Sequence, residues 1–177
     1  MPARVIVYCK KPVPHLTAAR FREEIELADL MTLAECLELP EGEEAAVKAM
    51  KAALRLEGEA RDADSGFSYV EVHWKREGRP IQIERLTGSE TRAELDETIQ
   101  EPPVARDTPG AMRVLDHLAA SREIVHLELG TPDSLHLGAT LSEVLAFHIA
   151  EEGDGLVWFY RRDFASPDDR GANILTT

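Results

Sequence analysis

Histidine and carboxylate side chains recur at alternating positions in two segments of this chain. An extended backbone would place Tyr69, Glu71 and His73 of YVEVH on one face, and His126 and Glu128 of IVHLE on one face. Histidine and carboxylate ligands suit zinc, manganese or iron, and a His–Glu pair can serve as general acid and base. These residues are therefore the candidates for a metal-binding or catalytic site.

The first segment opens the most regular stretch of the sequence, YVEVHWKREGRPIQIERL. Apolar and polar residues alternate, the chain turns at Glu77-Gly78, and the alternation resumes, which predicts a β-hairpin. Its apolar face would carry Val70, Val72, Trp74, Ile81 and Ile83. Its polar face would carry Tyr69, Glu71, His73, Gln82 and Glu84.

Three interpretations of this polar face are open. It could be only the solvent side of an antiparallel sheet, which needs polar residues there. If the strand of His126 lies near the hairpin, two histidines and several carboxylates could form a metal or catalytic site. An exposed acidic sheet that carries Tyr69 is also suited to a basic protein surface, and a second copy of the chain could cover it. We favour the partner-binding interpretation, and we predict no cofactor and no bound metal.

A second candidate lies near the C-terminus, in VWFYRRDF. Aromatic and arginine residues together are typical of the energetic centre of a protein interface. We therefore predict Trp158 and Arg161 as further binding residues. Alternation along a strand requires that part of this aromatic set packs in the core instead.

The charge of the chain narrows the class of partner. The 177 residues include 33 acidic and 20 basic side chains, for a net charge of −13. This excess argues against binding to nucleic acid or to anionic lipid, and it favours fast association with a basic protein. Lys10-Lys11 follow the short N-terminal apolar run, the reverse of a secretion signal, and no run is long enough to span a bilayer. We therefore predict a cytoplasmic protein without nucleic-acid or membrane partners.

The usual signatures of an enzyme are missing from the sequence. It has no Gly-x-x-x-x-Gly-Lys-Ser/Thr loop, no Gly-x-Gly-x-x-Gly turn, no Gly-x-Ser-x-Gly elbow and no His-Glu-x-x-His pair. Cys9 and Cys36 are too few for a disulfide framework and suit small buried positions. These patterns favour a non-enzymatic protein.

The order of the elements predicts one α+β domain over residues 1–177. We expect a two-layer fold, with a mainly antiparallel sheet of about five or six strands and helices packed on one face. EGEARDADSG lacks periodicity and is predicted as a loop. Thr17 is a predicted helix N-cap, and Thr32 with Glu35 forms a predicted capping box.

Two longer segments carry a resemblance to known proteins. LSEVLAFHIAEEGDGLVWF, in which a helix ends at Asp-Gly before a strand, is similar to the end of several small bacterial proteins of uncharacterised function. LADLMTLAECLELPEGEEAAVKAMKAALRLEG resembles their front part. Some small acidic α+β proteins of this kind are immunity proteins, which neutralise a toxin in the cell that produces it. The resemblance implies a binding function and transfers no functional residue.

We therefore predict a non-enzymatic, acidic, cytoplasmic binding protein of bacterial type, with an immunity protein that neutralises a basic toxin as its leading form. One alternative is a small enzyme or metal-binding protein that uses the His/Glu cluster. Another is a small-ligand or regulatory module with a pocket between the last helix and the strand of Trp158. The predicted binding residues are Tyr69, Glu71, His73, Glu84, His126, Glu128, Trp158 and Arg161.

Overall fold

The computed structural model describes residues 3–35, 42–59, 67–102, 110–130, 137–160, 163–169 and 173–176. The α-helices in these ranges are α1 (Ala18–Leu27), α2 (Leu30–Glu35), α3 (Glu43–Ala53), α4 (Ser89–Gln100), α5 (Ala111–Ala120) and α6 (Leu137–Gly153). None of these described helices combines the length and the apolar composition needed to cross a bilayer.

The strands form one sheet. They are β1 (Ala3–Cys9), β2 (Arg55–Glu59), β3 (Tyr69–His73), β4 (Ile81–Leu86), β5 (Glu123–Leu129), β6 (Gly155–Phe159), β7 (Asp163–Ala165) and β8 (Asn173–Thr176). This 8-stranded sheet has the order β2-β3-β4-β5-β1-β6-β7-β8, and its neighbouring strands pair antiparallel. The α+β class and the antiparallel sheet are confirmed, whereas the prediction of five or six strands is too low.

Two differences account for the strand count. The alternation in VWFYRRDF was interpreted as that of one strand, but this segment contributes to both β6 and β7, and Tyr160 after β6 has a positive φ of 50°. Strand β2 was not predicted, because Leu54 continues the apolar spacing of α3 and the acidic residues that follow lack periodicity. Glu57, at the centre of β2, was therefore placed in a loop by mistake.

Most helices pack on one face of the sheet. Side chains of α1, α2, α3 and α6, including Phe21, Met50 and Leu145, form a large apolar core with one face of β1, β3, β4, β5 and β6. Val70, Val72, Ile81 and Ile83 are fully buried there, as the alternation of the hairpin predicted. The apolar face of the hairpin is confirmed.

Helices α4 and α5 pack on the opposite face, so the prediction of helices on one face alone is wrong. Leu95 of α4 and Val114 of α5 form a second core with Ile6, Tyr8 and Ile124 of the sheet. The sequence carries a signal for this arrangement, because β1 is apolar at every position from Val5 to Cys9. Such continuous runs are typical of strands that are buried on both faces.

The hairpin closes in a different register from a two-residue turn at Glu77-Gly78. That turn would pair Val72 with Ile83, whereas Val72 pairs with Ile81 and Val70 with Ile83. The connection is also longer than predicted, because β3 ends at His73 and β4 begins at Ile81. Because the register differs by an even number of residues, every side chain keeps its predicted face.

The predicted helix starts have mixed outcomes. Thr17 caps α1 as predicted, since its hydroxyl oxygen accepts a hydrogen bond from the Arg20 amide at 3.3 Å. The capping box of Thr32 is wrong: Asp29 precedes α2 and accepts hydrogen bonds from the Thr32 amide at 3.2 Å and hydroxyl at 2.7 Å. Aspartate is the stronger N-cap residue of the two.

Candidate functional site

A row of polar side chains crosses the second face of the sheet from β2 to β1. Glu57, Glu71, Gln82, Glu128 and Arg4 lie directly opposite one another on β2, β3, β4, β5 and β1. Strand β5 pairs directly with β4, so the adjacency on which the candidate site depended is present. The two segments with alternating histidine and carboxylate residues thus share one face of one sheet.

Helices α4 and α5 cover only part of this face. Their apolar residues pack against β1, β5 and β6, with Leu86 at the end of β4. On β2, β3 and β4 the side chains of this face are exposed or half-buried. We call this part, together with the half-buried Glu128 at the edge of β5, the uncovered face. Its residues are Glu57, Tyr69, Glu71, His73, Gln82, Glu84 and Glu128.

Glu71 is the most highly connected residue of the uncovered face. Its Oε1 accepts a hydrogen bond from the Tyr69 hydroxyl at 2.7 Å and a longer one from Gln82 Nε2 at 3.5 Å. Its Oε2 lies 3.2 Å from His73 Nε2. The hydrogen bond from Tyr69 is the main cause that lowers the pKa of Glu71, so this carboxylate stays ionised at neutral pH. Partial burial and that same hydrogen bond raise the pKa of the Tyr69 hydroxyl.

His126 lies on the same face but is buried, which corrects its prediction as an exposed binding residue. Its Nε2 lies 2.7 Å from Glu94 Oε1 of α4, and its Nδ1 contacts the Arg4 guanidinium. Burial would raise the pKa of Glu94, but the hydrogen bond with His126 and the charges of His126 and Arg4 hold it below its usual value. The imidazole is therefore part of the contact through which α4 packs on the sheet.

The two histidines do not form one site. Glu84 on β4 pairs with Tyr69 on β3 and with His126 on β5, so two strand spacings separate Tyr69 from His126. His73 lies four residues further along β3 than Tyr69. The Cα atoms of His73 and His126 are therefore roughly 16 Å apart. No side-chain movement brings both rings to one ion. The predicted set of His73, His126, Glu71 and Glu128 is therefore divided between the uncovered face and the contact beneath α4.

A groove of about 920 Å³ continues from this row beside α4. Apolar side chains of the sheet line it, among them Ile6, Tyr8 and Trp158, and Arg4 links it to the row. Helix α4 and its C-cap residue contribute carboxylates to its lining, and these are Glu90, Glu94, Glu97 and Glu101. We call this feature the glutamate groove. It combines an apolar surface with an excess of negative charge.

Trp158 lies at the groove rather than on an exposed interface. Its ring stacks on Phe164, with centroids 5.4 Å apart and planes inclined by 3°, and it packs against the second core. Its Nε1 is shielded from solvent and has no hydrogen-bond partner among the described residues. Arg161, predicted with it, lies outside the described residues, as does Cys36.

The sequence interpretation missed two groups of residues at this site. Glu57 was missed because β2 was not predicted. The glutamates of α4 follow steps of three and four residues, a spacing that places them along one side of a helix and that could have been noticed. Their relation to Arg4 and Trp158 depends on the packing of α4 across the sheet, which no local pattern indicates.

No family model, no curated protein and no solved structure matches this chain. The resemblance to immunity proteins therefore stays a prediction.

Proposed function

We propose that this protein is a non-enzymatic binding protein that docks a basic partner protein on the uncovered face and the adjoining glutamate groove. The observation that carries the proposal is the row Glu57, Glu71, Gln82 and Glu128 on four adjacent strands, in which Glu57 and Glu71 are direct neighbours and Glu128 follows beyond Gln82. This row leads to a groove with further glutamates. Like charges on neighbouring strands destabilise a sheet. A surface that retains them is suited to a partner that supplies the opposite charge.

The chemistry of the surface fits a protein partner better than a small anion or a nucleic acid. The net charge is −13, and Tyr69 adds an aromatic ring among the carboxylates, a composition that protein interfaces favour. The groove would accept an apolar side chain beside Ile6 and Trp158 while lysine or arginine residues meet the glutamates. An immunity protein has such a task, since it would cover the basic site of a toxin.

Charge reversal tests the proposed surface. Purified protein serves as bait in an extract of the producing cells, and captured proteins are eluted with increasing salt. We expect a basic partner that elutes at moderate salt, because the association is mainly electrostatic. With that partner in hand, the double variant Glu84→Lys/Glu128→Lys should lower the association rate about tenfold or more at low salt and flatten its salt dependence.

The matched control is the double variant Glu44→Lys/Glu151→Lys. These exposed residues lie on α3 and α6, which pack on the opposite face of the sheet, and the substitutions change the net charge by the same amount. The control should associate with nearly the wild-type rate. If both variants lose the same fraction of the association rate, net charge alone explains the effect. Unchanged binding of Glu84→Lys/Glu128→Lys would exclude this face as the docking surface.

A further inference from the structure

At one end of the uncovered face, the side chains of three residues converge. Glu57 on β2 and Glu71 on β3 are direct cross-strand partners, and His73 follows on the same side of β3. One potential ligand atom from each of Glu57, Glu71 and His73 lies within 4.8 Å of the others. Two ligand atoms that bind one zinc ion at about 2.1 Å each lie at most about 4.2 Å apart. Small side-chain rotations would therefore bring the three ligand atoms within bonding distance of one ion.

The pairing of Glu57 with Glu71 is a cost in the protein alone. Two carboxylates directly opposite each other on neighbouring strands, as Glu57 and Glu71 are, repel. Arg55 contacts Glu57, with Nε 2.8 Å from Oε1, but both side chains are mostly exposed, and exposed ion pairs contribute little. A divalent cation between the carboxylates would replace this repulsion with attraction.

The imidazole of His73 completes the set. Its Nε2 is shielded from solvent and has no hydrogen-bond partner among the described residues. The contact of 3.2 Å with Glu71 Oε2 lacks hydrogen-bond geometry and counts as an ion pair only if the ring is protonated. A shielded imidazole nitrogen that lies beside two carboxylates and has no hydrogen-bond partner among the described residues has the position of a metal ligand.

Glu71 also has the outer contacts that orient metal-ligating carboxylates. Tyr69 and Gln82 both donate to Oε1, so that Oε2 is the oxygen that faces His73. Outer hydrogen bonds of this kind fix the ligand and tune its affinity. They come from the neighbouring positions of the polar row and need no other element.

We infer that Glu57, Glu71 and His73 form a site for a divalent first-row transition-metal ion, with Zn²⁺ as the ion that the ligand set fits best. One imidazole nitrogen and two carboxylate oxygens suit zinc, whereas magnesium and calcium prefer oxygen ligands alone. Three protein ligands leave a coordination position for water or for a group of a bound partner. The site does not depend on the proposed partner, and it can be tested with the protein alone.

The test is a calorimetric titration of the full chain with Zn²⁺ after treatment with a chelator and its removal by dialysis. We expect one ion per chain, and we expect Co²⁺ in its place to give visible absorption bands. His73→Ala should weaken binding by at least about tenfold, and Glu57→Gln, at an exposed position, should do so without affecting folding. Tyr69→Phe should weaken binding without abolishing it, because it removes only an outer contact.

The control is His15→Ala. His15 Nε2 lies 2.9 Å from Glu152 Oε2 on an exposed part of the surface. This pair offers imidazole and carboxylate but forms no three-ligand group with the other residues that the structure describes. Its loss should leave the Zn²⁺ affinity unchanged. Circular dichroism of each variant establishes that it is folded. The inference is overturned if the wild-type protein does not bind Zn²⁺, or if His73→Ala and Glu57→Gln bind it as tightly as the wild type.

Discussion

Arg85 and Glu123 place opposite charges inside the large core. Arg85 Nε lies 3.8 Å from Glu123 Oε2, and only 4% and 9% of the two side chains are exposed. Glu123 Oε2 also accepts a hydrogen bond from the Val13 amide at 2.9 Å, and the Arg85 guanidinium lies over the Phe67 ring at 5.3 Å. Removal of the Glu123 side chain would take away the acceptor of the buried Val13 amide, and a buried donor without an acceptor destabilises the folded state.

We therefore predict that Glu123→Ala lowers the free energy of unfolding by about 1–3 kcal/mol, because the buried Val13 amide loses its hydrogen bond. Urea denaturation measures the change. The matched control is Asp96→Ala, because Arg92 Nε and Asp96 Oδ1 are also 3.8 Å apart but 79% and 58% of their side chains are exposed. That loss should cost less than about 1 kcal/mol. Similar costs for the two substitutions would contradict the role of burial.

Glu143 on α6 gives a pH-dependent prediction. Burial is the main cause that raises its pKa, although the Tyr160 hydroxyl donates a hydrogen bond to Oε1 at 3.3 Å. A carboxyl group whose pKa is raised by folding destabilises the folded state once it ionises, and this cost grows as pH rises past the unfolded value of 4.5. Burial and the Glu143 charge likewise raise the pKa of Tyr160, to about 12.

Glu143→Gln should consequently be more stable than the wild type at pH 7, and its advantage should shrink toward pH 4. Glutamine keeps an acceptor for Tyr160 and cannot ionise. Thermal unfolding followed across that pH range measures the difference. Glu151→Gln, an exposed substitution on the same helix, should change stability little at either pH. A variant that is less stable at pH 7 would show that the hydrogen bond outweighs the cost of burial.

Among the helices, α6 has a glycine, Gly138, that is explained by a packing contact and not by helix propensity. Glycine in a helix interior costs ~1 kcal/mol relative to alanine, and Gly138 lies in the first turn of α6, which comprises Leu137–Gly153. A Cβ at this position would lie 2.6 Å from Trp74 Cζ2 of the sheet. The glycine therefore allows the helix to approach the indole closely.

Gly138→Ala should lower stability by about 1–3 kcal/mol, because the strain of overpacking exceeds the gain in helix propensity. The same substitution combined with Trp74→Leu, where the smaller side chain removes the contact, should cost less than it does alone. Urea denaturation of the four proteins of this cycle gives the coupling energy. If the alanine stabilises the protein with Trp74 present, the helix is free to shift and the close approach is not essential.

The hairpin of β3 and β4 and its two faces could be predicted because alternation is local information, although its register could not. Alternation assigned Val70 and Ile83 to the core and Glu71 and Gln82 to the opposite face. The position of α4 could not be predicted, because it depends on the contact between Glu94 and His126, 32 residues apart. For that reason the sequence interpretation placed His126 in solvent and treated it as a partner of His73.

The three proposed metal ligands likewise differ in whether local sequence could identify them. Glu71 and His73 were identified from their spacing within one strand. Glu57 joins them only because β2 pairs with β3 in the register that places Glu57 opposite Glu71. Strand β2 contains Gly58 and charged residues, a composition that is unfavourable for strands. Its pairing with β3 holds it in the sheet, so pattern alone predicts a loop.

For the whole molecule, the net charge of −13 has two opposite consequences. It should speed association with a basic partner, and it should also destabilise the folded state through repulsion among the carboxylates. Exposed ion pairs such as Arg20–Glu23 and Arg22–Glu26 partly offset this repulsion, but each contributes between about 0 and 1 kcal/mol. Natural binding surfaces often lower the stability of the folded protein, as repulsion among carboxylates would do here.

Net repulsion and exposed ion pairs respond to salt in opposite directions, so salt decides which is larger. The screening length falls from about 30 Å at 0.01 M salt to about 8 Å at 0.15 M, which weakens repulsion across the whole molecule. We therefore predict that the free energy of unfolding rises with NaCl over this range, measured by thermal or urea denaturation. In Glu84→Lys/Glu128→Lys the rise should be smaller, because reversal already removes part of the repulsion. A wild-type protein that loses stability with added NaCl would mean that the ion pairs dominate and that the uncovered face is not under electrostatic strain.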